Sequence, residues 1–116
     1  MNNFKELKVW KKSIDLVKLI YEITQQFPKE ETYGLTNQVR RCAVSIPSNI
    51  AEGAGRKGNK EFEQFLHISL GSSFELETQL IIANKLSYIK PENLFIIENQ
   101  LHEIQKMIRG LQKSLK

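Results

Sequence analysis

The chain has 116 residues, 41% of them hydrophobic and 26% charged, with three prolines, six glycines and a formal net charge of +4. That is room for one domain with one core, and the composition is not that of a disordered chain. Charges fill residues 1–8 where a signal peptide needs an apolar run, and apolar runs stop at four residues, as in Leu80 to Ala83, so neither a leader nor a membrane span is expected.

The first helix is expected over 5–26. Asn3 and Glu6 have the spacing of a capping box, and Phe27 with Pro28 stops the run. Trp10, Ile14, Val17 and Tyr21 form one apolar stripe, and Leu16, Ile20, Ile23 and Phe27 an adjacent one. Lys8, Lys11, Lys12 and Lys18 fill much of the remaining surface.

A charged connection leads to a second helix over 33–53. Leu35, Val39, Cys42, Ile46 and Ile50 recur at steps of three and four, so one face is core. Pro47 lies within that stripe. It has no amide proton for the carbonyl of Ala43, so the helix must kink, at a cost of about 3 kcal/mol unless packing offsets it. Gln38, Arg41, Ser45 and Glu52 line the polar side, and Ser45 and Asn49 are placed to satisfy backbone groups that the proline frees. Gly53 and Gly55 are expected to end the helix. The single cysteine, Cys42, excludes an intrachain disulfide and reads as a small core residue, which points to a cytoplasmic chain.

The third helix is expected over 60–87, after a flexible basic loop. Phe62, Leu66, Ser69, Ser73, Leu76, Leu80 and Ala83 step by four and three as a heptad seam, and the small residues Gly71, Ser72 and Ser73 invite close approach by a neighbour. Pro91 suits the first turn of a fourth helix over 91–114, where Leu94, Ile97, Leu101, Ile104, Ile108, Leu111 and Leu115 give the cleanest periodicity in the chain. Four amphipathic helices with short connections and no strand-like alternation predict an all-α fold. It is a single antiparallel up-and-down four-helix bundle, left-handed, with a proline-kinked second helix. Phe65, Ile68, Leu70, Phe74, Ile81, Ile82, Phe95, Ile96 and Met107 lie outside the seams. That surplus predicts self-association, with Phe74, Ile81, Ile82 and Phe95 as interface residues.

Four segments give this order of features a resemblance: Leu7 to Trp10, Tyr33 to Gln38, Ser45 to Gly53, and Phe65 with Leu66 followed by Gly71 to Glu77. Together they resemble the 23S rRNA intervening-sequence proteins, four-helix-bundle proteins encoded within insertions in bacterial ribosomal RNA genes. The resemblance covers nearly the whole chain, and Ser45, Pro47, Asn49, Glu52 and Gly53 belong to its most distinctive motif. Cys42 stands where relatives usually have alanine. The accessory protein of diversity-generating retroelements is similar in fold. That kinship implies a five-subunit ring with basic surfaces that engages nucleic acid and a reverse transcriptase.

Catalysis needs an inward-facing constellation, and the two histidines, His67 and His102, lie beside seam positions on different helices. Glu63 and Glu98 each precede a histidine by four, but di-iron bundles pair Glu and His three apart with further inward glutamates, so no metal site is expected. The glycines around Arg56 lack a phosphate-loop pattern, and neither an enzyme nor a cofactor is predicted. Arg56, Lys57 and Lys60, on a glycine loop opening a helix, are the foremost candidates for phosphate contacts. Arg40 and Arg41 are divided between anion binding and pairing with Glu75, Glu77 or a neighbouring subunit's acid. Two functions follow: an oligomeric accessory protein that binds structured RNA or DNA, or a protein-interaction scaffold with incidental charge.

Overall fold

The computed structural model describes residues 3–116. Four α-helices dominate: α1 (Lys8–Thr24), α2 (Leu35–Ala54), α3 (Asn59–Lys85) and α4 (Pro91–Ser114). No strand occurs among the described residues. α1 packs on α2 and α4, and α3 packs on α2 and α4, so α1 lies diagonally opposite α3 and α2 opposite α4. With connections this short, each helix runs antiparallel to the one before it, so the chain is an antiparallel up-and-down four-helix bundle. Its long axis is 43 Å.

The expected seams are the observed core. All seven seam residues of α3 are buried, as are Val39, Cys42, Ile46 and Ile50 of α2 and Ile97, Leu101, Ile104 and Ile108 of α4. α1 divides its two stripes differently. Leu16 and Ile20 are fully buried, whereas Ile14 and Tyr21 are exposed and Trp10 and Val17 are half-buried. Of the surplus residues, Leu70 is buried and Phe65 and Met107 are half-buried, so part of that surplus belongs to the core.

Helix boundaries follow local hydrogen bonds that the apolar pattern does not encode. The Asn3 side chain accepts from the Lys5 amide at 3.1 Å, but it caps a 3₁₀ turn (Phe4–Glu6) rather than α1. Leu7 is extended after it, which delays α1 to Lys8. The turn folds back so that the Phe4 ring meets Trp10 edge-on at 5.2 Å. α2 begins where Glu31 Oε1 accepts the Leu35 amide at 3.0 Å, a side-chain cap supplied from the preceding connection. α3 stops at Lys85 because Ser87 adopts a left-handed backbone with φ 63. The Tyr88 amide then reaches the Ala83 carbonyl at 2.9 Å and the Ser87 amide the Asn84 carbonyl at 3.0 Å, the paired bonds of a Schellman motif.

α2 continues unbroken through Pro47, whose ring is buried. Side chains serve several carbonyls nearby. The Ser45 hydroxyl donates to Cys42 at 3.0 Å, the Asn49 amide to Ser45 at 2.8 Å, and the Ser69 hydroxyl crosses from α3 to Ile46 at 2.9 Å. Gly53 does not end α2. It is buried inside the helix, and a Cβ there would lie 2.6 Å from Phe65 Cβ, so glycine is required for the approach of α3. Gly71 has open space beside it, and close approach along the middle of α3 rests on buried Ser69 and Ser73 instead.

Candidate nucleic-acid interface

The up-and-down topology brings the start of α1, the end of α2, the start of α3 and the end of α4 to one end of the bundle. An ion pair of 3.6 Å between Lys116 and Glu63 joins two of these segments directly. Lys5, Lys8, Arg56, Lys57, Lys60, Lys113 and Lys116 share this end with Glu6, Glu52, Glu61 and Glu63, an excess of cations. The opposite end has no such excess, with Lys29, Lys85 and Lys90 against Glu22, Glu30, Glu31 and Glu92. Cations from both halves of the sequence are thereby gathered into a basic pole. Only the α2–α3 loop of this pole stood out in the sequence; the rest requires knowing which helix ends meet.

The three candidate cations differ, Arg56 and Lys57 lying in the loop and Lys60 in the first turn of α3. Arg56 pairs with Glu52 at 3.4 Å and its guanidinium lies 4.9 Å from the centroid of the Phe65 ring, an arrangement that covers a half-buried aromatic and holds the loop down. Lys57 and Lys60 are exposed and meet no carboxylate within 4.0 Å among the described residues. A groove lined by Lys60, Glu63, Gln64, His67 and Ile68 leads away from the loop along α3.

Arg40 and Arg41, neighbours in sequence, are separated in role by the turn of the helix. Arg40 faces α1, where its Nε donates to Thr24 Oγ1 at 2.8 Å, a terminal nitrogen donates to the Tyr21 carbonyl at 3.3 Å, and the guanidinium lies 4.6 Å from the Tyr21 ring centroid. Neither Glu75 nor Glu77 is its partner, and with Nε and one terminal nitrogen engaged by α1 it serves as a clamp between helices. Arg41 is exposed and lines a shallow groove with Gln38, Cys42, Ser45, Glu75 and Gln79. Cys42 closes the floor of this groove, donating its thiol to the Ser72 carbonyl at 3.1 Å. Burial, reinforced by the nearby Glu75 carboxylate, pushes that thiol up to about 12, so it stays protonated and is no nucleophile at neutral pH.

Phe74, Ile81, Ile82 and Phe95 are all exposed, with Phe95 at 65%. They lie on the outer side of α3 and α4, where Arg109 covers Phe74 with its guanidinium 5.7 Å from the ring centroid. Tyr33 is the most exposed large hydrophobic side chain among the described residues at 94%, beside the cap of α2. Its motif position singled it out only as part of the family resemblance.

Glu77 turns toward α4 rather than toward the arginines. His102 Nε2 lies 2.9 Å from its Oε2, and the buried Gln105 donates to its Oε1 at 3.2 Å. Burial alone would raise Glu77, but hydrogen bonds from His102, Gln105 and Glu98 outweigh it and hold the carboxyl below its ordinary value. Glu98 is raised, first by burial and then by its bond to Glu77. In sequence Glu98 precedes His102 by four along one helix, beside the seam; the third member comes from the facing helix.

Architecture and surface together define an antiparallel four-helix bundle with one basic pole and an apolar outer face on its last two helices. The chain belongs to the 23S rRNA-intervening sequence protein family, which it matches over residues 5–110. It is also similar to a protein of unknown function from the S23 ribosomal protein family of Bacteroides thetaiotaomicron, solved at 1.70 Å. The two are 25% identical and superpose with a TM-score of 0.81, covering 90% of this chain and 95% of the other. No curated protein matches the chain. No described helix is long and apolar enough to cross a membrane.

Proposed function

We propose that this chain is a non-enzymatic accessory protein of the cytoplasm. In this reading it self-associates and holds structured RNA or DNA by phosphate contacts at its basic pole. The observation that carries the reading is the gathering of cations from four helix ends at one end of the bundle, with Lys57 and Lys60 free of acidic partners among the described residues. Exposed lysines suit contact with a phosphate backbone of variable geometry, whereas base-specific readout favours fixed planar donors. Repetition of one pole by symmetry would turn weak single contacts into avid binding. Self-association is supported by the exposed Phe74, Ile81, Ile82 and Phe95. The number five and a reverse-transcriptase partner rest on the family resemblance alone.

A protein-interaction scaffold is the second reading, and the same apolar face favours it. Binding of a structured RNA across a salt series distinguishes the two, because phosphate contacts release counterions and weaken steeply with salt.

A further inference from the structure

Glu77 on α3 and Glu98 with His102 on α4 bring two carboxylate oxygens and an imidazole nitrogen within 4.8 Å of one another. We propose that these three side chains form a binding site for a divalent transition-metal ion of the zinc class. The donors come from two helices packed against each other, so the bundle itself sets their separation. Glu98 and His102 are spaced i to i+4 and therefore share one face of α4. Bonds of about 2.0–2.2 Å to a tetrahedral ion place ligand atoms roughly 3.3–3.6 Å apart, so small side-chain rotations close the observed spread. The imidazole selects zinc, cobalt or nickel over magnesium or calcium, which prefer oxygen ligands alone.

Two features outside the ligand set point to a cation. Gln105, buried beneath the cluster, donates to Glu77 Oε1 at 3.2 Å and fixes that carboxylate from behind, as outer-shell groups do around bound metals. In a chain with a net charge of +4, no lysine or arginine lies within 4.0 Å of Glu77 or Glu98 among the described residues. Two adjacent carboxyls are thus left with one imidazole between them. A divalent ion would neutralise both, while a fourth position stays open to water.

The test is titration of zinc into untagged, chelator-stripped protein by calorimetry, with cobalt absorption as a second readout of ligand geometry. The expected result is one ion per chain. Glu98→Gln and His102→Ala should each weaken binding by more than about tenfold, the least that loss of an outer-shell partner brings. His67→Ala should leave it unchanged, and circular dichroism should show every variant folded. Absence of saturable binding at millimolar zinc would overturn the proposal, as would binding that survives Glu98→Gln and His102→Ala or that depends on His67.

Discussion

Gly53 and Phe65 meet where α2 and α3 come together, so closely that a Cβ on the glycine would lie 2.6 Å from the Cβ of Phe65 and 3.3 Å from the Phe62 carbonyl. In an exposed helix, replacing glycine by alanine gains about 1 kcal/mol. Here the clashing atoms belong to the root of a side chain and to backbone, which cannot rotate away. Gly53→Ala should therefore lose roughly 1–3 kcal/mol, the usual range for overpacking. Chemical denaturation of the variant checks the sign; a gain would mean that the two helices separate freely.

Ser87 presents the opposite case. It holds φ 63 at the end of α3 and is exposed. A non-glycine residue in the left-handed region costs roughly 1–2 kcal/mol relative to glycine. Ser87→Gly should raise the melting temperature by a few degrees, read by calorimetry, without altering the bundle.

The Glu77–Glu98 pair makes stability depend on pH in two directions. Glu77 is depressed, so its contribution is complete above the unfolded value and is lost as pH falls through its folded value. Glu98 is raised, so its contribution is present while it is protonated and is lost as pH rises through its folded value. The pair is accordingly most stabilising near 4.5, the ordinary value of both groups. Glu98→Gln keeps a donor for Glu77 and removes the second charge. In the presence of chelator it should stabilise the chain at pH 7 by no more than about 1 kcal/mol, since the pair is solvent-screened. That gain should vanish near the pH optimum of the pair. Urea titrations at both pH values make the comparison, and a less stable variant at pH 7 would contradict the assignment.

Assembly and folding should separate by residue. Phe74 is exposed beside Arg109, so Phe74→Glu gains a cationic neighbour and should leave the subunit folded while dissociating the oligomer. Leu101 is fully buried, and Leu101→Glu should unfold the chain, because an unpaired buried charge costs several kcal/mol. Light scattering coupled to gel filtration, with circular dichroism alongside, tests both. A wild-type monomer at micromolar concentration would remove the expectation of self-association.

The bundle was legible because every helix carries a long three-and-four apolar repeat, and the seams of α3 and α4 leave little choice of buried face. Boundaries were less so. The cap at Asn3 starts a 3₁₀ turn and Ser87 takes a left-handed conformation, both decided by local hydrogen bonds that periodicity does not register. Arg40 and Arg41 look equivalent in sequence, but adjacent helical residues point about 100° apart, and only the position of Tyr21 and Thr24 on α1 shows which one is engaged. The partners of Glu77 depend on the register of α3 against α4. That register is visible where Arg109 meets Phe74 and His102 meets Glu77, and a single sequence does not contain it. The role of Gly53 was hidden for a similar reason: a glycine near a helix end looks like a terminator until the neighbouring helix is in place.

Phosphate binding at the basic pole underlies the proposed function, and filter binding of a structured RNA across a salt series measures it. The proteins to compare are wild type, Arg40→Ala, and the combined Arg56→Glu, Lys57→Glu and Lys60→Glu variant. Wild type should bind with little sequence preference and weaken steeply between low and physiological salt. The triple variant should lose binding while remaining folded and assembled, since Lys57 and Lys60 are exposed and only the Arg56 contacts to Glu52 and Phe65 are given up. Arg40→Ala should lose about 1–3 kcal/mol of stability with the clamp on α1 and still bind, because its donors face Thr24 and Tyr21. No wild-type binding at low salt, or binding indifferent to salt and to the triple change, would contradict the claim and favour the protein scaffold.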